Sequence, residues 1–214
     1  MVKCIYPKLT EKRFWSIGRV GGSDVSNVKK QFILDAATKS FTIFGYKATT
    51  MSQIAKQANV GKGTIYTFFK NKEELFEEII NNLINEMKYL AEQSIRDEDT
   101  FIEKAHKGLE VFIAFHREHD LTIKLIQEQK ELGTNAVHDA LKRLNNSIII
   151  YIKKKIEEAI EKKEIVECDS EMTALVMLRL YTTLKIEWEK DHEALSAQKI
   201  TELFNFYILN GLSK

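Results

Sequence analysis

Three short helical patterns follow one another in residues 33–75, which read ILDAATKSFTIFGYKATTMSQIAKQANVGKGTIYTFFKNKEEL. Thr50 and Gln53 form a capping box, so the second of these helices is predicted to begin directly after Thr50. A tight turn at residues 59–61 separates it from a third helix that starts at Lys62. A short helix, a turn of about three to four residues and another short helix are the spacing of a helix-turn-helix, whose second helix enters the major groove of DNA.

An apolar stripe with helical spacing precedes this unit. Apolar side chains recur every three to five positions between Val28 and Phe44, which predicts a first helix over residues 27–44. Gly45 follows directly, where a helix often ends on a glycine in the left-handed conformation. The side chains expected to be buried between the three helices are Ile54, Ala55, Val60, Ile65 and Phe69.

Helical patterns continue to the end of the chain, and no strand-like alternation of apolar and polar residues interrupts them. The expected fold is all-α with about nine helices, in which a three-helix head over residues 28–73 joins a larger helical bundle over residues 74–214. Residues 1–27 lack sustained periodicity and are expected to form a basic flexible arm. Such an arm either contacts nucleic acid or is simply disordered.

The charge of the chain is strongly segregated, although its 214 residues carry a net charge of only +1. Residues 1–72 contain thirteen basic and three acidic side chains, a net charge of +10, and the remainder carries −9. A basic end on an acidic body is typical of a protein that binds a polyanion such as nucleic acid. A chance grouping of solvated lysines is the alternative.

The composition argues against several other classes. Cys4 and Cys168 lie far apart, so neither a disulfide framework nor a zinc module is expected, and a reducing compartment suits the chain. No apolar run approaches the roughly 18 residues of a membrane span, and the N-terminus lacks a signal-peptide core. We therefore expect a cytoplasmic protein without membrane contact.

No catalytic residue, metal site or cofactor is expected. The run from Gly61 to Thr64 only superficially resembles a phosphate-binding loop, because Lys56 stands where that loop needs an earlier glycine. His116 and His119 lie one turn apart, but an exposed polar helix end explains them better than a metal, which needs further converging ligands. No nucleophile and base pair is recognisable, so the chain is not expected to be an enzyme.

Residues 33–75 resemble the DNA-binding head of the TetR family of transcriptional regulators, over about a fifth of the chain. The residues that carry the resemblance are the Phe44-Gly45-Tyr46 corner, Thr49, Thr50, Ile54, Ala55, Ala58, Val60, Gly63, Thr64, Tyr66, Phe69, Lys72 and Glu73. The resemblance implies a homodimer that binds double-stranded operator DNA. It also implies that the bundle over residues 74–214 dimerises and binds a small-molecule effector that releases the DNA.

The third helix and its surroundings supply the expected DNA-binding residues. Gly61 and Gly63 leave room for close approach of a phosphate backbone. By resemblance, the positions that contact phosphates are Thr50, Tyr66, Lys70 and Lys72. The positions that face base edges or backbone are Lys62, Thr64 and Thr67, and Thr49 beside Thr50 completes the set.

Two of these positions depart from the family's pattern. Gly61 caps the third helix where the family usually has serine, a difference of about a few tenths of a kcal/mol. Phe68 stands where the family often has histidine or tyrosine. Phenylalanine has no donor for a phosphate, so one backbone contact is expected to be missing.

Two apolar sets in the bundle are candidates for binding. The candidate effector pocket consists of Phe112, Phe115, His116, Tyr181, Leu184 and Trp188. The resemblance places the homodimer interface on the last two helices, with Ala174, Met177, Leu178, Leu203, Phe204, Tyr207 and Ile208. Ordinary packing within one chain is the alternative for both sets.

The main hypothesis is therefore a ligand-responsive DNA-binding transcriptional regulator. We expect a repressor that a small, mostly apolar effector releases from a palindromic operator. The alternative is a helical scaffold that binds a partner protein and has no sequence-specific DNA binding.

Overall fold

A computed structural model describes the backbone of residues 22–213 and the side chains of residues 26–116 and 119–213. Nine helices occupy this part of the chain, and its only extended pairing is an isolated bridge between Ile165 and Ser213. In chain order the helices are α1 (Gly22–Phe44), α2 (Met51–Gln57), α3 (Lys62–Phe68), α4 (Lys72–Ser94), α5 (Phe101–Glu118), α6 (Asp120–Leu132), α7 (Asn135–Glu161), α8 (Ser170–Thr182) and α9 (Ala197–Phe204). The predicted all-α fold is confirmed. Within the described range, no helix combines the length and apolarity needed to cross a membrane.

The last two helices are irregular at their C-terminal ends. α8 continues through a π-helical turn at Thr183–Glu187 and a 3-10 turn at Trp188–Lys190. α9 continues through a second π-helical turn at Asn205–Leu209 into a final turn at Asn210–Leu212. The apolar spacing predicted plain helices here, because it does not report small changes in the number of residues per turn.

Side-chain caps set where several helices begin. The Thr50 hydroxyl accepts from the Gln53 N–H at 3.3 Å, and the Gln53 side-chain oxygen accepts from the Thr50 N–H at 2.8 Å. The predicted capping box is therefore present. Asn71, Asp169 and Ser196 cap α4, α8 and α9 in the same way, each through a side-chain oxygen that accepts a backbone N–H.

The first helix is longer than the sequence pattern predicts. α1 begins at Gly22, so residues 22–27 are helical although the apolar stripe begins only at Val28. These six residues include Ser23 and Asp24, which are favoured near helix N-termini without contributing to an apolar stripe. The rest of the predicted arm, residues 1–21, lies outside the described residues.

A continuous core joins the head, α1 to α3, to the bundle. The rings of Phe41, Tyr46 and Phe76 lie 4.5–5.5 Å apart at the junction. The same cluster of buried side chains extends to Leu125 of α6. α4 crosses the expected boundary between residues 73 and 74 without a break. The bundle therefore fixes the head in place through packed side chains.

Four of the seven residues predicted for the dimer face lie inside the bundle. The buried four are Ala174, Met177, Leu178 and Phe204. The prediction was wrong for them, because α8 and α9 are apolar on more than one side, and this side packs against α5 and α7. Leu203 and Ile208 are half-buried, and Tyr207 is exposed.

Candidate nucleic-acid interface and ligand cavity

Backbone hydrogen bonds close the turn between α2 and α3. The Val60 N–H donates to the Ala55 carbonyl at 3.0 Å, and Asn59 takes the left-handed conformation with a φ of 54°. α3 then begins after Gly61, which offers no side-chain cap. Ile65 of α3 is fully buried, so the two helices pack along the predicted seam.

The opposite side of α3 faces solvent. Lys62, Gly63, Tyr66 and Thr67 are exposed, and Thr64 is half-buried. A Cβ atom built at Gly63 would meet no atom within 4 Å, so this part of the surface is open. The helix thus presents a polar face beside a buried one, which is the arrangement that direct contact with a DNA groove requires.

Two further predicted residues remain exposed beside this face. The Lys70 N–H donates to the Glu74 carboxylate at 2.7 Å, which fixes the backbone while the ammonium group stays in solvent. The Thr50 hydroxyl takes part in the cap of α2 and is also exposed. Phe68, the departure from the family's pattern, packs against the core.

Lys72 does not present its charge to solvent as predicted. Its ammonium group donates to the carbonyls of Tyr46 and Thr49, both at 2.9 Å, and lies 4.3 Å from the centre of the Tyr46 ring. Burial lowers the pKa of Lys72, and burial together with the Glu73 carboxylate raises the pKa of Tyr46. In this conformation the side chain binds the turn between α1 and α2, and its phosphate contact stays a prediction.

Thr49 is likewise unavailable to DNA. It is 1% exposed, and its hydroxyl donates to the Gly45 carbonyl at 2.7 Å, with a longer contact to the Ser40 carbonyl at 3.3 Å. Its role is to close the turn after α1. The sequence could not separate Thr49 from the exposed Thr50, because the two residues have the same chemistry and differ only in what packs against them.

Sequence reasoning missed two polar residues beside α3. Ser52 and Lys56 of α2 are exposed and line a surface notch that Asn59, Gly61 and Lys62 complete. The positive charge of Lys56 counted toward the basic head, but nothing in the sequence showed which way it faces. The notch extends the exposed polar surface from α3 onto α2.

A buried carboxylate links the head to the bundle. Glu128 of α6 is 4% exposed and accepts hydrogen bonds from the backbone N–H groups of Tyr46 at 2.6 Å and Lys47 at 2.9 Å. Thr134 donates to the same carboxylate at 3.3 Å. Gly45 has a φ of 83°, and a Cβ there would lie 2.7 Å from a Glu128 oxygen. Glycine is thus required at this turn both for its conformation and for the close approach of Glu128.

A cavity lies within the bundle between α4, α5, α7, α8 and α9. Its volume is about 130 Å³, and it is partly open to solvent. Its inner wall is apolar and includes Met87, Leu109, Phe112, Ile148 and Met177. Its outer wall carries six charged side chains, which are Lys88, Lys104, Lys155, Glu158, Lys162 and Glu164.

Two of the six predicted pocket residues, Phe112 and Tyr181, line this cavity. The other four do not line it. Phe115 stacks on His119 within the core that joins head and bundle. Leu184 belongs to the second core of the bundle.

Trp188 and His116 also lie away from the cavity wall. Trp188 is exposed and stacks on His192, with 3.8 Å between the ring centres. His116 is buried behind Phe112 and Tyr181, whose ring centres lie 4.6 and 5.4 Å from its own. Burial lowers the pKa of His116 to about 4, so this ring is neutral at physiological pH.

An exposed helix-turn-helix on an all-α body that contains a cavity defines a class, the DNA-binding transcriptional regulators. Residues 33–79 match the tetR family of bacterial regulatory proteins. Over 185 residues the chain is 51% identical to the uncharacterized HTH-type transcriptional regulator YhgD of Bacillus subtilis. This alignment covers 86% of this chain and 97% of the relative. The chain belongs to the tetR family, whose members are transcription regulators and not enzymes.

Solved structures share this fold. One is a complex of SmeT with triclosan, with a TM-score of 0.71 at 17% identity over 87% of this chain and 92% of that one. Another is the fatty acid degradation regulator FadR from Bacillus halodurans, with a TM-score of 0.69 at 18% identity over 90% of this chain and 97% of that one. At these identities the likeness concerns the arrangement of the helices.

Proposed function

We propose that this chain is a dimeric repressor that acts in the cytoplasm and is released from a palindromic operator by an effector bound in the bundle. The observation that carries the proposal is the exposed polar face of α3, where Lys62, Tyr66 and Thr67 point away from a fully buried seam. In a dimer, two such helices would enter successive major grooves about 34–36 Å apart.

Exposed apolar side chains on α8 and α9 support dimerisation through these helices. Met172 and Val176 of α8 are 57% and 43% exposed, and Phe206 and Tyr207 in the continuation of α9 are 71% and 62% exposed. Large apolar side chains on adjacent helices are costly to leave in water and mark protein interfaces. Tyr207 belongs to the sequence-based interface, and Met172, Val176 and Phe206 take the place of its four buried residues.

The effector would act by changing the position of the head. α4 lines the cavity with Met87 and Ala91, and its first turn lies beside the head. α6 holds the turn after α1 through Glu128. An effector that binds one spacing of the two heads more tightly than the other would shift the dimer between DNA-binding and DNA-free states. The complex of SmeT with triclosan supports a small-molecule effector in this fold.

The helical scaffold hypothesis has less support. It explains neither the separation of exposed and buried residues on α3 nor the kinship with transcription regulators. Specific binding to DNA separates the two hypotheses directly.

Replacing Tyr66 with alanine tests the proposed DNA-reading face. We expect Tyr66→Ala to weaken binding to a duplex from upstream of the chain's own gene by about 1–3 kcal/mol, since a contact at the groove is lost. The measurement is a fluorescence anisotropy titration at fixed salt, with a scrambled duplex of the same length for comparison. Tyr66 is exposed, so the fold and the dimer should persist.

The matched control is Tyr89→Ala on α4, which removes an exposed tyrosine far along the chain from α3. It should leave DNA binding unchanged. Equal affinities for the wild type and Tyr66→Ala would show that α3 is not the reading helix. Equal affinity of the wild type for the upstream and scrambled duplexes would favour the scaffold hypothesis.

A further inference from the structure

Lysines dominate the charged side chains around the bundle cavity. Four of the six charged lining residues are lysines. Lys155 is paired with Glu92 at 3.1 Å, and Lys104 makes only a 3.4 Å contact with the Asp97 carbonyl. Lys88 and Lys162 have neither an ion pair nor a hydrogen bond with the described side chains. The cavity therefore has positive charge that its own carboxylates do not neutralise.

One of the two lining carboxylates is already engaged in the fold. Glu164 accepts the backbone N–H of Phe101 at 2.7 Å, at the start of α5. Glu158 is held near the ammonium groups of Lys154 and Lys155, at 3.8 and 3.7 Å. Neither carboxylate approaches Lys88 or Lys162 within ion-pair distance. Lys104 and Lys162, at the end of the cavity near the start of α5, have no carboxylate partner among the described residues and can meet an anion.

The cavity is elongated and its two ends differ. Lining residues on α7 run from Ile148 to Lys162, which at 1.5 Å per residue spans about 21 Å along the helix. The Ile148 end also has Phe112 and Leu178 and is apolar. The Lys162 end lies with the start of α5, where Lys104 stands. A ligand that fills this space needs a long apolar part and a charged end.

A buried polar atom adds a second requirement. The hydroxyl of Tyr181, a cavity-lining residue that is 1% exposed, has no hydrogen-bond partner within the described part of the protein. A buried hydroxyl without a partner is unfavourable. A polar atom within the ligand is one way to satisfy it.

We propose that the effector is an anionic amphiphile, whose chain occupies the apolar part of the cavity and whose carboxylate or phosphate binds Lys104 and Lys162 at its charged end. The proposal rests on the proposed function for the consequence of binding, because the effector would release the operator. The binding step itself rests only on the cavity and its lysines.

Matched probes separate the contributions of chain and charge. Isothermal titration calorimetry would measure binding of hexadecanoate, hexadecanoyl-coenzyme A, hexadecan-1-ol and butanoate to the full dimeric protein, each below its micellar concentration. We expect one or both long-chain anions to bind at least about tenfold more tightly than the neutral alcohol. Butanoate, which has the charge but not the chain, should bind too weakly to detect. The two long anions distinguish a free carboxylate from a phosphate-bearing headgroup.

Variants test the assigned residues. Lys104→Met with Lys162→Met should weaken binding of the preferred anion about tenfold and leave the alcohol unchanged. Lys142→Met, an exposed lysine on α7 that does not line the cavity, is the control. Gly108→Leu should abolish binding of every long-chain probe, since a Cβ at Gly108 meets no atom within 4 Å and the added side chain would occupy the cavity. Leucine also favours the helix more than glycine, so this variant should fold.

Equal binding of the alcohol and both anions would overturn the proposal, and so would a double lysine variant that binds anions like the wild type. Absence of binding by every probe to the folded protein would also overturn it. DNA binding is followed in the same samples with the duplex from upstream of the gene. Anion binding without any DNA binding would leave the ligand class standing and refute the proposed function, whereas specific DNA binding without anion binding would do the reverse.

Discussion

The junction between head and bundle and the wall of the bundle cavity treat buried polar groups differently. At the base of the head, the side chains of Thr49, Lys72 and Glu128 are all hydrogen-bonded to backbone atoms. In the bundle, the Tyr181 hydroxyl has no hydrogen-bond partner among the described residues and lies beside a cavity of about 130 Å³. The head is thus packed to keep one shape, whereas the bundle retains unfilled volume and unmet hydrogen bonds. An effector can move the head only if the bundle has a space for the ligand and the head moves as one rigid unit.

Truncation of one large buried side chain in each region, Phe76 at the junction and Met177 at the cavity wall, tests the difference in packing. Phe76 is 1% exposed and contacts Phe41 and Tyr46, so Phe76→Ala should lower the free energy of unfolding by about 3–5 kcal/mol. Met177 lines the cavity and already lacks neighbours on one side, so Met177→Ala should cost about 2 kcal/mol. Urea denaturation at one fixed protomer concentration measures both. Equal losses would remove the contrast between the two regions.

The pH dependence of stability probes the bundle at His116. Burial lowers the pKa of His116 from 6.5 to about 4. Between these pH values the imidazole is therefore neutral in the folded state and protonated in the unfolded chain. The stabilisation of the neutral ring is complete above about pH 6.5 and is lost as the pH falls from there to about 4. At about 1.4 kcal/mol for each pH unit, the full loss is on the order of 3 kcal/mol.

Urea titrations across this pH range would measure the effect. His116→Gln should flatten the curve between pH 6.5 and 4, and His138→Gln, at an exposed position on α7, should leave it as in the wild type. If the free energy of unfolding fell with pH equally in the wild type and in His116→Gln, protonation of the buried ring would not destabilise the fold.

Removal of the carboxylate between α6 and the head should loosen the head selectively. Glu128→Ala leaves the N–H groups of Tyr46 and Lys47 without their acceptor, which should cost about 1–3 kcal/mol. Hydrogen exchange should accelerate at these amides more than at amides of α7. Glu131→Ala, an exposed glutamate on the same helix, is the control. Uniform acceleration throughout the protein would mean that Glu128 supports overall stability and not the link to the head.

The sequence predicted the local features of the fold well. The capping box at Thr50 and the glycine that ends α1 depend on interactions within a few residues, and the structure has both. The start of α1 was misplaced because polar residues form its first turns. The π-helical turns in α8 and α9 were missed because they hardly disturb the apolar pattern.

The sites could be predicted only where exposure follows from helical spacing. The outward positions of α3, Lys62 and Tyr66, follow directly from the buried Ile65. The hydrogen bonds of Lys72 could not be predicted, because their acceptors lie about 25 positions earlier in the chain and no local sequence pattern indicates such a contact. The buried role of Glu128, 82 positions from Tyr46, was invisible for the same reason. Residue type gives the chemistry, and only the fold gives the partner.

The smallest expected effect concerns α3, which begins without a side-chain cap. Gly61 has extended backbone angles, with φ of −64° and ψ of 149°, which serine adopts without strain. The nearest atom to a Cβ there is the Thr64 hydroxyl at 3.6 Å, so the added side chain has space and a backbone N–H to bind. Gly61→Ser should therefore stabilise the head by about a few tenths of a kcal/mol. Slower hydrogen exchange in α3, with α7 unchanged, would verify this, whereas faster exchange in α3 would show that the bare glycine is the better start for this helix.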